Sequence, residues 1–183
     1  MFSLNVPLAP AVSRLATDLH LKRSGFDRVR ERHTLVCKRF GVDDIDAASS
    51  RSDDAAPSKP DALRALRRDL RPFLSATAPF DVAVTGVEVF DDPASGSRPV
   101  VYLAVESAGL VRLHRRLCDA YGPIPGIEGD DYEPHVTLAR GGDPDPGVVA
   151  DLVASSFEPV RWRVHALDVY DPDYREVAAT IDL

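Results

Sequence analysis

Cysteine is nearly absent from this 183-residue chain: Cys37 and Cys118 are the only two, too few for a disulfide framework or a zinc pattern. No apolar run approaches the roughly 20 residues needed to cross a bilayer. The opening MFSLNVPLAP has no basic stretch followed by a long apolar one, so no signal peptide is predicted and a cytoplasmic location is expected. No strand-like segment leads into a glycine-rich phosphate loop, which argues against a Rossmann or P-loop nucleotide domain. No metal-ligand cluster stands out either. Asp130 and Asp131 read as a solvated loop, and neither metal nor cofactor is expected. Lysine is scarce, at Lys22, Lys38 and Lys59 only, against 19 arginines and 29 carboxylates. Either a GC-rich coding bias or adaptation to high salt gives this pattern, the second because a carboxylate-rich, lysine-poor surface stays hydrated.

What is present fits an ordinary globular protein, with 44% hydrophobic and 28% charged residues, and residues 1–183 are expected to form a single domain, a monomer with no membrane attachment. The net charge is −7, yet residues 28 to 39, RVRERHTLVCKR, carry five cations (Arg28, Arg30, Arg32, Lys38, Arg39) against Glu31. That local +4 is either a solvated strand edge or a seat for a polyanion.

Hydrophobic periodicity and turn residues predict strands at FSLNVPL, RVRERHTLVCKRF, FDVAVTGVEVF, PVVYLAVE, around His135, at VRWRVHALDVY and at REVAATIDL. Helices are predicted where Val12, Leu15, Ala16 and Leu19 follow helical spacing until RSG stops them, over PDALRALRRDLRPFL, over AGLVRLHRRLCDAYG with Gly122 as its C-cap, and near 146–156. Residues 42 to 60 read as an exposed loop, and a bulge is expected at Gly86. The order of elements gives α+β with an internal pseudo-duplication.

One stretch carries chemistry. In EPHVTLARGG, residues 133–142, alternation puts His135 and Thr137 on one face of a strand and Val136 and Leu138 on the other. A His-x-Ser/Thr triplet alone says little, since chance supplies about 0.5 in this composition. His33, 102 residues earlier in RHTLVCKRFG, begins a comparable apolar strand ending in glycine. His20 and His114 fall in helices, expected at their edges, and His165 reads as a core or surface histidine.

These residues resemble the 2H phosphoesterase superfamily, in its 2′-5′ RNA ligase-like, RNA 2′,3′-cyclic phosphodiesterase branch. MFSLNVPL, the histidine strand ending in RFG, VVYLAVES with its helix, and PHVTLARGG follow the family's order. The resemblance implies a bilobal fold in which two antiparallel sheets form a concave cleft with helices outside, and one histidine motif comes from each half. It implies that His33 and His135 are the acid and base that open an RNA-terminal 2′,3′-cyclic phosphate to a 2′-phosphate, or join RNA ends 2′-5′, without metal. Imidazole titrates near neutrality, as such work requires. In that reaction Thr137 is expected to donate to a phosphate oxygen, and the resemblance implies that Arg140 lies near the phosphate, although strict alternation points it to the other face. RNA ends or nucleoside cyclic phosphates are the expected partners, with Lys38 and Arg39 on the RNA backbone. The first motif departs from the pattern: the hydroxyl is at Thr34, directly after His33, and Leu35 stands where the family has Thr or Ser. Counting back from Gly41 puts the histidine at 34. A one-residue bulge would return Thr34 or His33 to the cleft.

Overall fold

The computed structural model describes residues 2–19, 25–41, 45, 58–93 and 96–183. Among these, nine strands and four α-helices follow the order β1 (Phe2–Val6), α1 (Pro10–Asp18), β2 (Phe26–Val29), β3 (Leu35–Phe40), α2 (Lys59–Ser75), β4 (Phe80–Phe90), β5 (Val100–Glu106), α3 (Ala108–Tyr121), β6 (His135–Gly142), α4 (Pro146–Val153), β7 (Val160–Val164), β8 (Ala166–Asp171) and β9 (Glu176–Asp182). All strand pairs are antiparallel, in the order β7-β4-β5-β6-β3-β1-β8-β9, with β2 also on β6. Two four-stranded halves meet where β3 lies beside β6, through the single pair Leu35↔Val136. This curled, antiparallel α+β architecture is the expected one.

The helices start where the sequence offers caps. The Ser58 hydroxyl accepts from the Asp61 N–H ahead of α2, with Pro60 in the first turn, and Ser107 caps Leu110 at the start of α3. Leu66, Leu70 and Leu74 of α2 and Leu110, Leu113 and Leu117 of α3 are buried, each contributing about 1.5–3 kcal/mol of transfer free energy. They meet Phe2 and Leu4 of β1, Val82 and Val84 of β4, Leu103 of β5, and Val136 and Leu138 of β6. The core therefore lies on one face of the curled sheet and leaves the other for a site. No helix among the described residues is long and apolar enough to cross a membrane.

The predicted strand over 28–40 is in fact two, β2 and β3, and that over 160–170 breaks at exposed His165 into β7 and β8. The expected irregularity near Gly86 is present, between Val84 and Gly86. His114 is not at a helix edge but fully buried. His20 and most of the predicted 42–60 loop lie outside the described residues; 58–60 belong to the cap and first turn of α2.

Candidate functional site

Strand β6 lies between β5 and the β2–β3 segment, so its polar face is walled on both sides. Val136 and Leu138 are fully buried, while His135 and Thr137 line a cleft of about 1250 Å³. The alternation then breaks. Val101 of β5 pairs with Ala139 but Tyr102 pairs with Thr137, leaving Leu138 as an extra, bulged residue. Leu138 and Ala139 are both buried, and Arg140 comes round to the cleft beside His135 and Thr137. Strict alternation had it on the far face; one inserted residue changes the parity. Beyond it, Gly141 and Gly142 have φ of +69° and +85°, and a Cβ on Gly142 would lie 2.5 Å from the Gly25 carbonyl oxygen. Only glycine lets the strand end close against β2 there.

The first motif is arranged by a larger irregularity. Val29 pairs with Ala139 and Leu35 with Val136, so six steps along one chain match three along β6, and three residues are extra. Within this connection Arg30, Arg32 and Thr34 line the cleft; His33 does not, although it is half-buried and burial lowers its pKa. Strand β3 has its own bulge, because Lys38 pairs with Leu4 but Val36 with Asn5, leaving Cys37 over. Thr34, just ahead of β3, and Val36 and Arg39 of β3 thus reach the cleft in the same spacing as His135, Thr137 and Arg140 from β6. The two halves correspond at an offset of 101 residues, not 102, and the position matching His135 holds Thr34.

Lys38 is not a cleft residue. It is 1% exposed and its ammonium is 2.7 Å from Glu128 Oε2 and 2.8 Å from the Arg39 carbonyl oxygen, so nothing of it is left for an RNA backbone. Glu128 also accepts from the Arg39 and Ile124 N–H groups at 2.9 and 3.0 Å, which ties the loop 123–132 to β3. Gly126, Ile127, Asp131 and Tyr132 of that loop form part of the cleft wall. Beneath them His114 Nδ1 is 2.7 Å from the Cys37 carbonyl oxygen and must donate to it, so Nε2 accepts the Gly129 N–H at 2.9 Å. The ring is thereby held neutral, with Tyr132 stacked on it at 3.7 Å.

The same logic fixes His135. Its Nδ1 is 2.7 Å from the Glu133 carbonyl oxygen, which can only accept, so Nδ1 carries a proton, and in the neutral ring that burial favours Nε2 offers a lone pair. Phe90 and Tyr102 meet the ring edge-on at 5.3 and 5.4 Å. The Tyr102 hydroxyl is 2.7 Å from Glu133 and 3.0 Å from Glu88, bracing the residue that holds the imidazole. Burial lowers the His135 pKa; Arg39 and Arg140 push the same way, opposed by the Glu133 carbonyl and carboxylate. A neutral acceptor, a hydroxyl and two guanidinium groups on one wall can bind a phosphate and accept a proton beside it.

Six arginines (28, 30, 32, 39, 140, 175) line the cleft against five carboxylates, in a chain where acids outnumber bases 29 to 22. Of the residues singled out in the sequence, Thr34, Arg39, His135, Thr137 and Arg140 line the cleft, and His33 and Lys38 do not; Phe90, Tyr132, Tyr170 and Arg175 line it too, without having been singled out.

A family model described as the 2'-5' RNA ligase superfamily matches residues 53–175. The matched stretch holds PHVTLAR and does not reach His33. Among solved structures, TT0787 of Thermus thermophilus has a TM-score of 0.59 at 22% identity, with 100% of this chain and 97% of that one covered. At that identity the likeness shows the fold alone. No curated protein matches the chain.

Proposed function

Because the chain belongs to the 2′-5′ RNA ligase superfamily, whose members are phosphoesterases and ligases, we propose that it opens the 2′,3′-cyclic phosphate at an RNA end to a 2′-phosphate. Water attacks phosphorus, the bond from phosphorus to O3′ breaks, and the phosphate stays on O2′. With a ribose 5′-hydroxyl in place of water, the same step forms a 2′-5′ bond. His135 acts as base through Nε2, the observation that carries this reading. Thr137, Thr34 and Arg39 contact the non-bridging oxygens, whose hydrogen bonds strengthen as charge develops, and Arg140 serves the phosphate's vicinity. The volume exceeds that of a drug-sized pocket, about 300–1,000 Å³, in keeping with an RNA end. The scheme needs no metal.

His33 is the proposed acid that protonates O3′. Residues 31–34 lie outside both strands, so the connection can turn His33 inward without breaking a ladder hydrogen bond. A second reading, a weakly active or inactive RNA- or nucleotide-binding module, is favoured by one observation: Thr34 occupies the position that matches His135. Incubation with nucleoside 2′,3′-cyclic phosphates in EDTA separates the two. A 2′-phosphate product supports hydrolysis as drawn, a 3′-phosphate reverses which oxygen leaves, and no turnover favours the binding module.

A further inference from the structure

Arg28 of β2 and Arg140 of β6 are direct cross-strand partners. Their side chains share a face with Cβ atoms about 4.5–5.5 Å apart, a like-charge arrangement that destabilises an empty sheet. Arg30, two residues on, shares Arg28's face, and its N–H is bonded to the Leu138 carbonyl at 2.7 Å. All three line the cleft, and among the described residues none has a carboxylate within ion-pair distance; Asp92, on the same wall, pairs with Arg98. The Arg140 Nε is buried without a hydrogen-bond partner. Burial, then the charges of Arg30 and Arg28, lower its pKa. Three cations held together against their own repulsion, one with an idle donor, call for a multivalent anion.

We propose that Arg28, Arg30 and Arg140 form a second phosphate subsite, which takes the phosphate on the 5′ side of the terminal nucleoside. This rests on the cyclic-phosphodiesterase reading. A terminal 2′,3′-cyclic phosphate has only one neighbouring phosphate, and it lies on that side. Arg140 is three residues from Thr137, at most about 10 Å along the strand and less across the bulge, the scale of the step from one phosphate to the next. The preferred substrate is then an RNA strand, and a lone nucleoside cyclic phosphate is a truncated one.

The test compares kcat/KM for three substrates: a nucleoside 2′,3′-cyclic phosphate, the same with a 5′-phosphate, and a dinucleotide ending in it. The subsite predicts that the dinucleotide exceeds the first by about 10-fold, one charge-assisted contact. A matching gain for the 5′-phosphorylated nucleoside also supports it, showing that any phosphate there suffices. Arg28→Ser and Arg30→Ser should each pull the ratio towards one, whereas Arg67→Ser, at an exposed position of α2, keeps it. The unliganded melting temperature of Arg28→Ser should not fall, because a like-charge pair is relieved. Equal kcat/KM for all three substrates overturns the subsite. If none turns over, the phosphodiesterase reading fails, and calorimetry with a dinucleoside 3′-phosphate against a nucleoside 3′-phosphate judges the subsite alone. Tighter dinucleotide binding that Arg28→Ser abolishes supports it; equal affinities overturn it.

Discussion

Replacing Lys38 with methionine separates a structural cation from a substrate contact. The ammonium and the Glu128 carboxylate are each 1% exposed and 2.7 Å apart. Lys38→Met keeps most of the volume but leaves the carboxylate with only the Arg39 and Ile124 N–H groups. Breaking one side of a buried pair costs about 3–5 kcal/mol, mostly the uncompensated charge. An unfolding entropy of about 2.1 cal/mol/K per residue gives this chain roughly 0.38 kcal/mol/K, so Tm should fall by about 8–13 °C. The assay is thermal unfolding by circular dichroism near neutral pH, beside turnover at a temperature where both proteins are folded. Glu128→Gln removes the stranded charge, and the two changes combined should be less than additive by about 1–3 kcal/mol. A Tm shift below about 3 °C with activity lost would refute the reasoning and return Lys38 to the substrate.

Four further outcomes follow from the site. His135→Ala should abolish most turnover; His33→Ala should cost about 10²–10⁴-fold if it is the acid, and near wild-type rates would remove it from the reaction. Thr137→Val should cost about 10²–10³-fold in kcat, and Thr34→Val a comparable loss, since both residues line the cleft; an unaffected Thr34→Val would show that it does not meet the phosphate. The acidic limb of kcat/KM should lie below the ordinary imidazole value of about 6.5, because burial lowers His135 and a base works while neutral; a limb above 6.5 contradicts this. Buried His114, also lowered by burial, contributes stability that is present above about pH 6.5 and lost as pH falls through its folded value, since the unfolded chain binds the proton first. Unfolding free energy in urea should drop over that range in wild type and less in His114→Asn.

The face of β6 that carries His135 and Thr137 was legible because apolar and polar residues alternate within four positions. Arg140 was not legible to the same rule: its face is decided by the extra Leu138, and that bulge depends on pairing with β5, more than 30 residues away in sequence. Lys38 looked like part of a basic patch because its partner, Glu128, is 90 residues off and has no local signature. Counting back from Gly41 did put the matching position at 34. The structure shows why: the bulge at Cys37 repeats the one at Leu138, so spacing from the strand end holds while the histidine stands one place early.

The three surplus residues between β2 and β3 make the number of imidazoles on the cleft a question of chain length. Pairing on either side is anchored at Val29 and at Leu35, and the stretch between has slack. Loss of a single codon, that of Thr34, would bring His33 directly against Leu35 and into the position that mirrors His135. Two surplus residues would still bridge the strands. Neighbouring sequences one residue shorter here could thus gain a second cleft imidazole without any amino-acid replacement, and homologues aligned by residue type across this connection would be paired out of step with their geometry.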